Sequence, residues 1–592
     1  MGTRPRFIGL AIVVLATLIP VSPGPAGAGT ARADETARLH ALFKQEWERI
    51  LEEYPTFASS LGDRRYNRRW EDLSVGAADR SHRADLAALR RLGRIDRDAL
   101  PAPEQLNYDL FRSGYRDSVE GYRFREFLMP VGHQYGIQLP DDMVDLIPFE
   151  TKRDYRDWGV RLRAFGRHID QTIALLEQGL KEQRTPPRIV LERVPDQIRA
   201  QLVADPEDSV LFSPYREMPD SVPAAAQKRL RAEGRAAVKN VVVPGYRRLL
   251  NFFERRYLPN SRTSIAASAL PDGEDYYAYA ARSHTTTDLT PDAIHELGIA
   301  EVARIRGEME RLIKQIGFDG SYGEFVEFLR SDDRFYYESA EELLAGYRAI
   351  VKRLEPQIAR LFGRLPSIPM EVKPIPADAA ADESAAYYIA GTADGRRPGT
   401  VYVNLDQLRS RPKFDMEVLM AHEAVPGHHL QFSMALEQQD VPEFRRHNDY
   451  TAFIEGWGLY SEGLGGELGL YRDPYSRFGQ LTAEVWRAIR LVVDTGIHAK
   501  GWSRQKAIDY FAANAARPLH DIVNEVDRYI AWPGQALAYK VGQLRISDLR
   551  RRAEERLGDR FDVRAFHDMV LGSGSVPLDV LDGIVNKWLD ER

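Results

Sequence analysis

Apolar residues recur at helical spacing over most of this chain, and that periodicity limits its fold more than any other feature. The pattern runs through Ala37 to Glu53, Arg153 to Lys181, Ala224 to Tyr257, Pro291 to Ile316, Ala340 to Phe362 and most of Phe414 to Ala516. Helix-start signals accompany several stretches: Thr290 precedes Pro291 and Asp292, and Ser503 precedes Arg504 to Phe511. Strand-like runs are short and few. Met370 to Lys373, Ala386 to Ala390 and Thr400 to Asn404 are the best, clustered just ahead of the segment that carries the chemistry. The expected fold is mainly α, with two helical lobes and a small β-sheet near the active-site helix. No Gly/Ser linker, charge block, low-complexity tract or internal repeat divides the chain. Residues 34–592 therefore read as one region, with a weak lobe boundary in 258–290.

Residues 1–33 read as an export signal. Arg4 and Arg6 form a positive start, Phe7 to Val21 an apolar core, and the small residues that follow permit cleavage after Ala28 or Ala33. The apolar run is short for a bilayer, and nothing later reads as a membrane helix, so no stable membrane insertion is expected after cleavage. An uncleaved N-terminal anchor is the alternative. The expected location is the periplasm or the medium. The absence of cysteine excludes a lipoprotein anchor, disulfides, thiolate metal ligands and a thiol nucleophile. The net charge of −6 becomes −9 once the three arginines of the signal are removed. An acidic chain without basic runs is a poor partner for nucleic acid or an anionic membrane.

The chemistry concentrates in Phe414 to Gln438, which contains Ala421-His422-Glu423-Ala424-Val425-Pro426-Gly427-His428-His429-Leu430-Gln431. The chain has 13 histidines, and three of them fall within the eight positions 422–429, beside a glutamate. In a helical His-Glu-x-x-His site the imidazoles at i and i+4 share a face and reach one zinc ion, while the glutamate faces its water. Here position i+4 is Pro426, so the strict motif is absent. Proline removes the N–H that would bond the carbonyl of His422, and Gly427 tolerates unusual dihedrals, so the helix should bulge or kink. On an undistorted helix His428 lies about 120° off the face of His422, and His429 lies nearly on that face but about 10 Å along the axis. A bulge favours His428 as second ligand, and His429 is the alternative.

A third ligand comes from the segment Ala452-Phe453-Ile454-Glu455-Gly456-Trp457-Gly458-Leu459-Tyr460. If the two helices form an antiparallel hairpin turning near residue 440, Glu455 stands opposite residue 425, between His422 and His428. A carboxylate among apolar and glycine neighbours is costly without a partner, and a metal is a suitable one; an arginine would be the ordinary structural alternative. Gly456 and Gly458 would let the helices approach closely. A His-Glu pair alone carries no such weight, and His295-Glu296 reads as structural.

The runs HEAVPGHHLQ (422–431), EGWGLYSE (455–462), PDGEDYYAY (271–279), LTPDAIHELG (289–298), DTGIHAKGW (494–502) and RYIAWPGQALAYKVG (528–542) resemble the bacterial domain-of-unknown-function family 885 along nearly the whole mature chain. That family is similar to helical zinc peptidases of the angiotensin-converting-enzyme and thimet-oligopeptidase kind, in which a glutamate of a second helix completes the site. Dipeptidyl peptidase III is a further comparison, since its motif also has a residue inserted between the histidines. The resemblance implies a metallopeptidase-like, gluzincin-like fold, a Zn2+ cofactor, and downstream groups that stabilise an oxyanion. Tyr529 and Tyr539, flanking Trp532-Pro533-Gly534-Gln535, are the candidates. Asp494 and His498, four apart, read as a supporting or substrate-binding pair or as a solvated ion pair. Tyr402 to Asn404 reads as an edge strand able to pair with an extended peptide.

The reading is hydrolysis of peptide bonds in short peptides, with Glu423 as general base and His422, His428 (or His429) and Glu455 as zinc ligands. A zinc hydrolase of non-peptide amides and a non-catalytic binding protein on a peptidase fold are the alternatives. No Gly-x-Ser-x-Gly elbow supports a serine hydrolase.

Overall fold

The helical periodicity is realised almost stretch by stretch in the computed structural model. It describes residues 26–592 apart from 141–143, 145–146, 376–379, 381–383 and 439. Most of the expected export signal lies outside the described residues. The helices that matter below are α1 (Ala26–Glu53), α2 (Lys152–Lys181), α3 (Pro291–Ile316) and α4 (Ala340–Leu354). After a short sheet follow α5 (Lys413–Glu423), α6 (His428–Leu436), α7 (Thr451–Glu467), α8 (Pro474–His498), α9 (Leu519–Ala531) and α10 (Ala538–Leu557). The start signals act as expected: the Thr290 side chain accepts the N–H of Ala293, and that of Ser503 the N–H of Lys506. The stretch from 224 to 260 is continuous but widens into π turns at Val238–Val242 and Phe253–Tyr257. Each lies one turn before a proline, Pro244 or Pro259, where a wider turn relieves the clash of the ring with the preceding carbonyl.

The three expected strands form one sheet, β1 (Met370–Pro374), β2 (Ala386–Ile389) and β3 (Gly399–Val403), in the order β1-β3-β2. β3 pairs parallel with β1 and antiparallel with β2. Both of its edges are therefore taken, which overturns the reading of Tyr402 to Asn404 as an edge open to a peptide. Asn404 is buried, and its side chain donates to the carbonyls of Ala380 and Ser384.

Packing divides the apolar residues into clusters. One is built from residues between Val131 and Tyr257. A second joins the sheet to α5, α6, α7 and α10, and a third joins α3 to α8 and α9. α7 and α10 touch at backbone distance: a Cβ on Gly456 would lie 2.5 Å from the Cα of Gly542. Gly456 thus serves the contact with α10, whereas Gly458 faces the expected metal-binding helix. No helix among the described residues is long and apolar enough to cross a membrane.

Candidate metal centre

α5 ends at Glu423. The chain leaves helical geometry at Ala424 (φ −97°, ψ −113°), passes a cis Val425–Pro426 bond, and re-enters a helix at His428 after Gly427 (φ −79°, ψ −130°). The expected bulge or kink is thus a full break into two helices. Gly427 makes the break possible, because a Cβ there would sit 1.8 Å from the carbonyl oxygen of His422. That contact folds the inserted residues back onto the end of α5. His428 is thereby set beside His422, with ring centroids 4.7 Å apart and planes at 87°. The carbonyl of Pro426 accepts the indole N–H of Trp457 at 2.9 Å and the hydroxyl of Ser461 at 3.3 Å, which ties the break to α7.

α7 delivers Glu455. Its Oε2 lies 3.6 Å from Nε2 of His422 and 3.6 Å from Nε2 of His428. The donor atoms of the three residues all fall within 4.8 Å of one another. No arginine pairs with Glu455 among the described residues. The His422 and His428 side chains are 4% and 9% exposed and that of Glu455 19%, so the group opens toward solvent on the glutamate side. Gly458 admits the His422 ring: a Cβ there would be 2.7 Å from its Cε1.

The electrostatics follow from three carboxylates crowding two imidazoles. Burial alone would raise the Glu455 carboxyl, but hydrogen bonds and charge from His422 and His428 hold it well below the usual range. Burial disfavours the charged form of His422, yet Glu455, Glu462 and Glu423 outweigh it and lift the group to about 9. Glu423 is buried at the end of α5 and takes no side-chain hydrogen bond among the described residues.

Glu462 was not singled out by sequence reasoning. Its Oε1 accepts from Nδ1 of His422 at 2.9 Å and from Nη2 of Arg487 at 3.2 Å. The first contact requires the Nδ1–H form of the ring and leaves Nε2 as the free donor atom facing Glu455. Gln431 does the same for His428, with Oε1 3.4 Å from Nδ1. The signal for Glu462 was present: it follows Glu455 by seven residues, two helical turns along the same face.

His429 points elsewhere. Its Nδ1 lies 3.0 Å from the hydroxyl of Tyr388, and burial pushes its pKa down to about 4. The two tyrosines also part. Tyr529 is fully buried, and its hydroxyl accepts from Trp486 Nε1 at 3.1 Å and Arg490 Nε at 3.0 Å. Tyr539 is half-buried, and its phenol is pushed up by burial and then by the charge of Glu455. Arg490 stands 4.3 Å from the centroid of the Tyr539 ring and 5.8 Å from that of Tyr529.

Asp494 and His498 are neither solvated nor paired with each other. Asp494 accepts from the Tyr277 hydroxyl at 2.6 Å and the Gly534 N–H at 3.1 Å. His498 accepts the N–H of Ala267 at its Nδ1 and donates from Nε2 to the carbonyl of Tyr529. Both fasten α8 to neighbouring segments. His295 is structural as expected, with Nδ1 2.7 Å from the Thr495 hydroxyl.

The family model for bacterial proteins of unknown function designated DUF885 matches residues 55–585. A crystal structure described as that of a candidate lipoprotein from Colwellia psychrerythraea aligns with a TM-score of 0.88 at 30% identity, covering 94% of this chain and 100% of that one. A candidate lipoprotein of unknown function from Shewanella oneidensis aligns with a TM-score of 0.69 at 16% identity, covering 93% and 99%, which is a likeness of fold alone. No curated protein matches the chain.

Proposed function

We propose that this chain, which belongs to the bacterial family of proteins of unknown function DUF885, is an exported zinc-dependent peptidase acting on short peptides. The observation that carries the reading is the convergence of His422, His428 and Glu455. Ligands about 2.1 Å from a tetrahedral ion stand about 3.4 Å from one another. The 3.6 Å separations from Glu455 to each imidazole are close to that spacing, and the donor set of two histidines and one glutamate suits zinc. Zinc bound there would polarise a carbonyl and lower the pKa of a coordinated water.

The remaining work falls to the chain. Glu423, next to His422 and without a hydrogen-bond partner among the described residues, is the group to accept a proton from the attacking water and return it to the departing amine. Tyr539, within the field of Glu455, is better placed than Tyr529 to donate to an oxyanion, and Tyr529 with Arg490 holds the wall behind it. The separate apolar cluster of residues 131–257 supports a two-lobed, metallopeptidase-like arrangement with a boundary in 258–290. The description of both solved relatives as candidate lipoproteins supports export. The sequence contains no cysteine to carry a lipid.

The test is metal analysis of the purified protein beside turnover of a mixed peptide library followed by mass spectrometry. About one zinc per chain is expected. His422→Ala and Glu455→Ala should each strip most of it, and full occupancy in Glu455→Ala would sink the ligand assignment. Glu423→Gln should keep its zinc and lose ~10²-fold or more in rate. Unchanged turnover in that variant refutes the mechanism. A zinc-loaded wild type that cleaves no peptide points to a non-peptide amide or to binding without catalysis.

A further inference from the structure

A cavity of about 220 Å³ lies beside the helices that carry the metal centre, lined by sequence neighbours of the ligands rather than by the ligands themselves. Phe432 and Ala435 of α6, Phe453 and Ile454 of α7, Ala390 beyond β2, and Leu571 supply its apolar lining. The two helices that line it also bear His428 and Glu455. The shared wall is Gln431, which reaches Nδ1 of His428 with its oxygen and donates from its nitrogen to the carbonyl of Phe453 at 3.3 Å. Ile454 immediately precedes Glu455, and the Phe432 ring centroid is 5.9 Å from that of His428. A side chain in this cavity would therefore belong to a substrate whose backbone lies at the centre.

Arg445, Arg446 and Ser575 of the lining are already engaged within the protein, whereas Nδ2 of Asn448 has no hydrogen-bond partner among the described residues and burial raises the carboxyl of Asp449. Arg445 donates to Asn107 and to the carbonyl of Ser573, and Arg446 to Gln438 and Glu443. The His447 ring stacks on Trp47 at 5.4 Å. What remains to an occupant is mainly apolar surface, with Asn448 and Asp449 as the polar exceptions. An apolar cavity of about 150 Å³ is enough to hold a benzene molecule, so this one accommodates a phenyl or isobutyl group.

We infer that this cavity is a specificity pocket that takes a bulky apolar side chain, phenylalanine or leucine in kind, of a substrate residue next to the bond being cleaved. The inference rests on the peptidase reading for the chemistry, but its test can be separated from that reading. The probes are N-acetyl-phenylalanine amide and N-acetyl-glycine amide, titrated into the zinc-loaded full chain and followed by NMR. Burial of the ring should give the phenylalanine amide about a ten-fold or larger advantage. Ala435→Trp and Ala390→Trp fill the cavity from two different elements, and each should abolish that advantage while leaving zinc content unchanged. Equal binding of the two amides, or a preference that survives both tryptophan variants, overturns the pocket. In the peptide library, wild-type cleavage should favour a bulky apolar residue at one fixed position, and Ala435→Trp should shift it to small residues. Cleavage with no such preference rejects the pocket and leaves the peptidase. Selective binding without any cleavage rejects the peptidase and leaves the pocket.

Discussion

Two groups of buried charge lie on neighbouring helices and are built on opposite terms. In the first, Lys540 of α10, with its side chain 0% exposed, places Nζ 3.0 Å from Glu301 and 2.9 Å from Glu484. Arg304 reaches the same two acids at 2.8 and 2.6 Å and Glu308 at 2.6 Å, and Arg477 lies 3.8 Å from Glu308, so three cations meet three anions. In the second, Glu423, Glu455 and Glu462 surround His422 and His428, and among the described residues the one permanent cation in contact is Arg487, on Glu462. Among the described residues Glu462 Oε2 has no hydrogen-bond partner. The first group neutralises itself and fastens α10 to α3 and α8. The second is short of positive charge and must take it from protons or from a metal. Burial of charge therefore says little about function until the signs are added up.

The largest effect should come from breaking the self-sufficient group. Lys540→Met leaves Glu301 and Glu484 sharing Arg304 alone, and removal of one partner from a buried ionic group costs about 3 kcal/mol or more. Denaturant unfolding of the metal-free protein should show that loss, while zinc per folded chain stays as in wild type. Near-native stability would mean that these ion pairs do not hold the helices. Loss of zinc from a folded variant would mean that the two groups are coupled rather than separate.

Acid should separate the two groups with an effect of similar or smaller size. Burial opposes ionisation of Glu484, but Lys540 and Arg304 outweigh it and hold its carboxyl at about 2. A depressed carboxyl contributes stability that is complete above its unfolded value and is lost as pH falls through the folded one. Glu484 should thus contribute about 3 kcal/mol at neutral pH and lose it between about pH 4.5 and 2. The metal centre behaves otherwise. His422 must shed its proton to bind zinc, and in the metal-free centre it holds that proton up to about 9. Protons therefore compete with zinc throughout the range below 9, with an affinity loss of about ten-fold per pH unit for each proton displaced. On acidification zinc should leave while the fold persists. Zinc release and loss of near-UV circular dichroism at the same pH would erase the distinction.

The sequence disclosed these features unevenly, for physical reasons. Helices such as 291–316 and 504–514 were legible because periodicity and a capping side chain are local. The strands were legible as strands, but their order was not: β3 lies between β1 and β2 because of a crossover that no short window encodes. His422, His428 and Glu455 stand out in the sequence because imidazoles and an acid in apolar surroundings are rare. The proline and glycine between the histidines signalled a break but not its depth, which depends on how closely Gly427 approaches the His422 carbonyl. Asp494 and His498 misled because i,i+4 spacing places residues on one face without saying what lies opposite. Each faces a different buried partner. The role of Glu462 depends on a contact with α5 that spacing permits but does not require.

That residue gives the last and smallest expected effect. Glu462 accepts the Nδ1–H of His422 and so fixes which nitrogen faces Glu455. It also neutralises Arg487, whose side chain is 11% exposed and lies against the Trp486 ring. Glu462→Gln keeps an acceptor oxygen for the imidazole but removes the charge that makes the ring a stronger ligand. Arg487 is then left as an uncompensated cation near the centre. Both consequences weaken a bound cation, and outer-shell partners of this kind are typically worth 10–100-fold in metal affinity. Competition with a chelator should show a zinc dissociation constant raised by about that factor, with the rate per zinc-loaded molecule nearly unchanged. Arg487→Met separates the two contributions: it removes the cation and keeps the carboxylate, so its zinc affinity should equal or exceed that of wild type. If Glu462→Gln binds zinc as tightly as wild type, the carboxylate does not support His422. If it holds zinc fully but turns over slowly, Glu462 belongs with Glu423 in proton transfer rather than behind the ligand.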